Sequence, residues 1–279
     1  MPEPFSIAAG VVGILAPAVH WTRLLLLDLQ NILDAPVVVK SLEGDFQLIE
    51  TTLHSLEAIT EQQWAALGAS VIEQSTITIT TCTESCKNFR ANLQEWTRHS
   101  DEGKLSWRDR TNVGFLKQSQ IRAMSEKLHG YQLSLNLVIS TATLHSSVHH
   151  AEVSKDIKAA ILKQAAEINN SIATTDQQLA TVNSKLERID HNSEAPGTAD
   201  GACDEGVPRG VLEEDRVSLQ MLQKLLETLK SSNEKEREHI NQQERNQNTT
   251  VTFGSSNSGF QLGANSGSIS GFSFGVRGG

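Results

Sequence analysis

The chain has 279 residues, 38% of them apolar and only 5% aromatic, with a formal charge of −9. So few aromatics disfavour a strand-rich fold, and the acidity argues against a protein that grips nucleic acid by neutralising phosphates. Three cysteines (Cys82, Cys86, Cys203) make no disulfide framework, and the odd number suits a reducing compartment.

Residues 4–22 contain no Lys, Arg, Asp or Glu, and twelve of these nineteen are apolar. That approaches the ~20 residues that cross a bilayer core. Only Glu3 precedes the run, whereas a secretory signal would want positive charge there. Gly10, Gly13 and Pro17 keep its hydrophobicity modest, and Ala9 and Gly13, four apart, permit close helix–helix approach. Two expectations follow, and they are compatible in sequence. The segment is a buried first helix of a bundle, or a helix sheltered at rest that inserts in a membrane when released. The side chains that would enter lipid are Phe5, Ile7, Val11, Val12, Ile14, Leu15, Val19 and Trp21.

Further along, Val38, Leu42, Phe46, Ile49, Leu53 and Leu56 have the three-and-four spacing of one helix face, and Pro36 suits the start of that helix. Residues 60–99 read as a third helical segment anchored by Trp64, Leu67, Val71, Phe89, Leu93 and Trp96. Its β-branched middle, residues 75–83, would need packing to stay helical. A turn at 101–104 leads into a helix over 107–143 that carries Leu116, Ile121, Met124, Leu128, Tyr131, Leu135, Val138 and Ile139. Nine Lys or Arg stand against five acids in residues 87–127, an excess that could face an anionic membrane or simply be a solvated face. Ile168, Ile172, Thr175, Leu179, Val182, Leu186 and Ile189 then form a heptad seam.

Residues 190–216 hold eight acids and only Arg209 and Arg216 as cations, among several Gly and Pro. This composition reads as an acidic flexible linker. Leu219, Leu222, Leu226 and Leu229 resume the helical spacing beyond it. The expected fold is all-α: a four-helix-bundle-like core over 1–150, a coiled-coil-like helix over 151–190, the linker at 191–210, a helix over 211–245, and a tail at 246–279.

Eight of the nineteen glycines fall after Thr249, where Arg277 is the only charge. Three blocks there share the form apolar–polar–apolar–Gly, at residues 251–254, 260–263 and 272–275. Alternation puts two apolar side chains on one face of a strand, and the glycine permits a turn after it. With no proline and almost no charge, identical chains could stack in register with Gln261 and Asn265 as ladders. The same composition also suits a flexible polar tail without a role.

Gly259, Phe260, Gln261, Leu262 and Gly263 resemble the core of the RHIM-related amyloid motifs, especially the fungal PP type, and Asn257 and Gly267 fit that pattern. Residues 4–13, 35–45 and 107–143 resemble the fungal HeLo-like (HELL) domain, a diffuse likeness over about the first 150 residues. Both ends together resemble the HELLP proteins, in which a HELL domain precedes a PP motif. The resemblance implies a cell-death effector, analogous to the mammalian necroptosis executioner. An NLR-type receptor with a matching motif would template the tail into amyloid, with Val251, Phe253, Gly254, Phe272, Phe274 and Gly275 beside the motif itself. The chain would self-assemble and carry its first helix from the cytoplasm to plasma-membrane lipids. Pro17 and His20 depart from an uninterrupted spanning helix.

No enzyme is expected, and no cofactor, metal or nucleic acid. There is no Gly-rich phosphate loop, and residues 267–271 place Ile269 where a GxSxG nucleophile would stand. Cys82 and Cys86 are not a CxxC pair. His145, His149 and Glu152 could share a helix face, but HExxH is missing; they read as surface residues. The competing expectation to the membrane effector is a soluble helical adaptor whose tail serves only as a scaffold.

Overall fold

A computed structural model describes residues 4–32, 36–98, 117–150, 155–193 and 208–247. The described residues form seven helices and no strand, the all-α fold that the apolar periodicity predicts. They are α1 (Pro4–Gln30), α2 (Val37–Glu57), α3 (Glu61–Leu67), α4 (Ala69–Trp96), α5 (Gln118–His150), α6 (Lys155–Ser193) and α7 (Arg209–Gln247). The chain divides into two compact units, residues 1–235 and 236–279, so only the part of α7 before Glu236 belongs to the first.

Helix α2 begins directly after Pro36, whose φ of −57° is already suited to a helix start. It buries Leu42, Phe46, Ile49, Leu53 and Leu56 against α1 and α5. Thr60 and Gln63 form a reciprocal capping box at the start of α3. The segment expected as one helix over 60–99 is in fact two, because Gly68 adopts φ +84° and ψ 157°. That region is essentially open only to glycine. Gly68→Ala should therefore lower stability by about 1–3 kcal/mol, seen as a lower urea midpoint at unchanged m.

In α4 the β-branched stretch is helical and packed, with Ser75, Thr78, Ile79, Cys82 and Thr83 all buried. Threonine hydroxyls there donate to the carbonyl four residues back: Thr76 to Ile72, Thr78 to Gln74, Thr80 to Thr76, Thr81 to Ile77 and Thr83 to Ile79. These bonds satisfy the hydroxyls of the buried Thr78 and Thr83, which would otherwise be unpaired in the core. Helix α4 also packs on α1. The helix expected over 107–143 is described from Gln118 and continues to His150; its start and the 101–104 turn lie outside the described residues. Tyr131 of α5 is completely buried, and its hydroxyl lies 3.3 Å from Ser85 Oγ of α4. Burial pushes the phenol well above its ordinary pKa, so it stays neutral.

Helix α6 returns antiparallel to α5, and α7 runs parallel to α5. The directions are fixed by a buried polar layer in which Gln164 Nε2 donates to Thr141 Oγ1 at 2.7 Å and Asn233 Nδ2 donates to Gln164 Oε1 at 3.1 Å. At the other end Lys127 of α5 meets Asp215 at 2.8 Å and Glu214 at 3.7 Å. Between these levels α7 comes so close that a Cβ on Gly130 would lie 2.8 Å from Leu222 Cδ1. Leu222, Leu225, Leu226 and Leu229 join the main core with Ile168, while Val182, Leu186 and Leu212 form a separate cluster. The heptad seam is thus not one continuous apolar strip.

The linker expectation needs a correction at both ends. Helix α6 continues to Ser193 and α7 starts at Arg209, inside the predicted 191–210 segment. Several of the acids that suggested a linker are structural. Asp190 and Glu213 both pair with Arg209, and Glu214 and Asp215 hold Lys127. Breaking the Lys127–Asp215 pair, whose side chains are 10% and 13% exposed, would strand a charge at a cost of roughly 3–5 kcal/mol.

Candidate membrane-active helix and its seat

Helix α1 has one window, Gly10–Gln30, long and apolar enough to cross a membrane, with mean hydropathy 1.6 and 39% of the window buried. Length and composition alone give that reading, and a core helix passes the same test. Its buried stripe is Val11, Leu15, Ala18, Val19, Thr22, Leu25, Leu26 and Leu29, the spacing of a core-facing helix. This face lies on α2 and α4. The outward face differs from that of an ordinary bundle helix. Val12 is 50% exposed, and Gly13, Ala16 and Pro17 are exposed beside it. From Gly10 to Pro17 the outward residues carry no charge, whereas His20, Arg23 and Gln30 are exposed farther along.

Pro17 lies inside the helix without ending it. Its ring crowds the carbonyl four residues back, and that residue is the exposed Gly13. The helix therefore runs on through both Pro17 and His20.

The polar attachments of α1 gather in its second half. Arg23 donates to Glu50 Oε1 at 2.9 Å from Nε and 2.7 Å from Nη2, with His54 Nε2 3.4 Å away. Asp28 accepts from Arg90 Nε at 2.7 Å, and Gln30 donates to Glu43 at 3.1 Å. Trp21 has Lys87 Nζ 5.3 Å and Arg90 Cζ 6.0 Å from its ring centre, a cation–π arrangement. Thr22 Oγ1 lies 4.0 Å from Cys86 Sγ. Cys82 and Cys86 are both free and buried. The hydrogen bond with Cys86, and then burial, raise the Cys82 thiol well above its ordinary pKa, which keeps it protonated and unreactive.

Of the residues nominated from the sequence, Val11, Leu15 and Val19 face the core, Ile14 and Trp21 are half-buried, and Val12 faces solvent. Phe5 and Ile7 belong to α1, but their side chains lie outside the described residues. The uncharged run hid the continuation through Leu24, Leu25, Leu26, Leu27 and Leu29, because Arg23 and Asp28 interrupt it. The leucine density itself was the available signal. The amyloid block, Val251 through Phe260, Gln261 and Gly275, lies wholly outside the described residues.

Four of the six described cations in residues 87–127 are engaged. Lys87 pairs with Glu84 at 2.7 Å, Arg90 with Asp28, and Lys127 with Asp215; Lys117 Nζ sits 5.8 Å from the Trp96 ring centre. Much of the basic excess therefore serves folding. Lys104, Arg108 and Arg110 lie outside the described residues. The buried His145 has Nδ1 3.4 Å from Ala66 O, so its place is in the core and not on the surface as expected; His149 and Glu152 have no described side chains. No group of three potential metal ligands occurs among the described residues.

Comparison with known proteins places the N-terminal part in a family different from the HeLo-like one that it resembles. No curated protein and no solved structure matches the chain. The family model of the pigment biosynthesis cluster protein PigL N-terminal domain matches residues 2–200, which spans α1 to α6 and stops before α7. Over most of its length, then, the chain belongs to the PigL N-terminal family.

Proposed function

We propose that the chain is a conditional membrane effector whose α1 is sheltered in the bundle at rest and delivered to lipid after the tail assembles. The supporting observation is α1 itself, whose outward residues from Gly10 to Pro17 are uncharged while its inward face is apolar. Its seven buried aliphatic residues represent roughly 10–20 kcal/mol of burial, so it leaves its seat only where lipid replaces the core. An NLR-type receptor with a matching motif would template residues 246–279 into amyloid, as in the HELLP proteins that the two ends resemble. The fibril then arrays many bundles and raises their effective concentration at an anionic plasma membrane. At rest the protein is cytoplasmic, and its action is cell death by membrane disruption rather than catalysis.

A second reading, a helical adaptor that assembles through its tail, is favoured by the same inward face, because Leu15, Leu25 and Leu29 are integral to the core. One experiment separates the two. Full-length Cys203→Ser protein is seeded with fibrils of a 246–279 peptide beside anionic vesicles holding a self-quenched dye, and a maleimide is added. Before seeding, neither Cys82 nor Cys86 should react, since both are buried. After seeding, dye release and labelling of Cys86 should rise together as α1 leaves Thr22's position over it. Fibrils without release or labelling would establish the adaptor.

A further inference from the structure

A cleft of about 590 Å³ lies between α5, α6 and α7, at the gap between the two apolar clusters of the seam. Its origin is readable in the residues. Beside Gly130 the helices α5 and α7 are in tight contact through Leu222. Toward the start of α5 the wall is built of the small Ser119 and Ala123. Opposite, α6 supplies Thr174, Gln177 and Thr181, polar residues beside the seam position Val182. Protein interiors ordinarily close such spaces to near-crystalline density, and one or two larger aliphatic residues would have filled this one.

Its two sides differ in chemistry. Val182, Leu212, Leu219 and Leu222 supply an apolar side, while Arg122 and Lys185 stand on the rim, both exposed and without an ion pair among the described residues. Lys127 is already neutralised by Asp215 at 2.8 Å. With Glu126 as the remaining carboxylate, the lining carries one net positive charge. The volume is within the range of small-molecule sites, about 300–1,000 Å³.

We infer that this cleft is a binding site for a small amphipathic anion, its apolar body against the leucines and its carboxylate or sulfonate between Arg122 and Lys185. The site is separate from α1, which contributes no residue to the lining.

Two probes test it on the full-length chain: the fluorescence of 8-anilinonaphthalene-1-sulfonate, and its displacement by dodecanoate or by dodecanol. Saturable binding at one site is expected, with dodecanoate displacing the dye at least about tenfold more effectively than dodecanol. Arg122→Glu with Lys185→Glu should weaken the dye about tenfold or more at an unchanged melting temperature. Ala123→Trp should abolish binding by filling the cleft. Should that variant fold poorly, Ser119→Trp fills the more open end of the same wall. Binding that is not saturable, or that survives both the charge reversal and the filling substitution, overturns the inference. So does the absence of binding, whether another part of the chain fills the cleft or nothing does.

Discussion

Lysine in place of Ala16 should leave the bundle's melting temperature nearly unchanged while cutting seeded dye release from anionic vesicles about thirtyfold. The two halves of this expectation have different causes. Ala16 faces water in the resting helix, and an exposed alanine-to-lysine change in a helix shifts stability by no more than about 0.5 kcal/mol. In the bilayer the same position lies within Gly10–Gln30, where a charge costs about 2 kcal/mol at intermediate depth. Lysine is a sharper choice than aspartate, because it strengthens adsorption to anionic lipid, so lost release isolates insertion. Ala16→Leu is the control and should release dye at least as fast as the parent chain. If the lysine variant matches its parent, α1 is not the membrane-active part. Deleting residues 2–22 would answer less, since it also removes Val11, Leu15, Ala18 and Val19 from the core.

Proline at Phe260 or Gln261 should abolish conversion of the tail, seen as no thioflavin T growth after seeding, and hold dye release at its unseeded level. Proline fixes φ and deletes a backbone donor that every layer of a cross-β stack repeats. Replacing Gln261 also removes the side-chain ladder. The first unit ends at Lys235, so its thermal melt should be unaffected, which separates a failed fibril from a failed fold. A proline variant that converts at the normal rate would remove residues 260–263 from the fibril core and with them the basis for templating by a receptor.

Where sequence alone located structure, the signal was local. Pro36 and the spacing from Leu42 to Leu56 suffice for α2, because one buried face and one start residue define a helix regardless of its neighbours. The Gly68 break lay beyond the sequence pattern because Trp64, Leu67 and Val71 keep helical spacing straight across it, and only the backbone angle separates α3 from α4. The start of α7 was hidden for another reason. Glu214 and Asp215 look like linker charge until Lys127, far away in sequence, is brought against them. Charge composition reports what a segment would do alone in water, not which partner the fold supplies. For the candidate site, the apolar run at 4–22 was legible, but its extension past Arg23 was not, since Glu50 and Arg90 are what neutralise the charges in that extension. The cleft between α5, α6 and α7 was invisible to pattern reading because it arises from three stretches that are each unremarkable.

The uneven attachment of α1 gives its departure a direction. Up to Val19 the described seat is apolar contact, which a lipid surface can replace atom for atom. From Trp21 onward the helix is fastened through Arg23, Asp28 and Gln30. A peeling front would thus travel from the amino terminus and slow at Trp21, and Thr22 clears Cys86 only once the ties to α2 and α4 give way. The exposed Arg23–Glu50 tie is open to screening by salt, whereas the half-buried Asp28–Arg90 tie is much less so. Ionic strength would then set how far along the helix the front advances, rather than whether it starts.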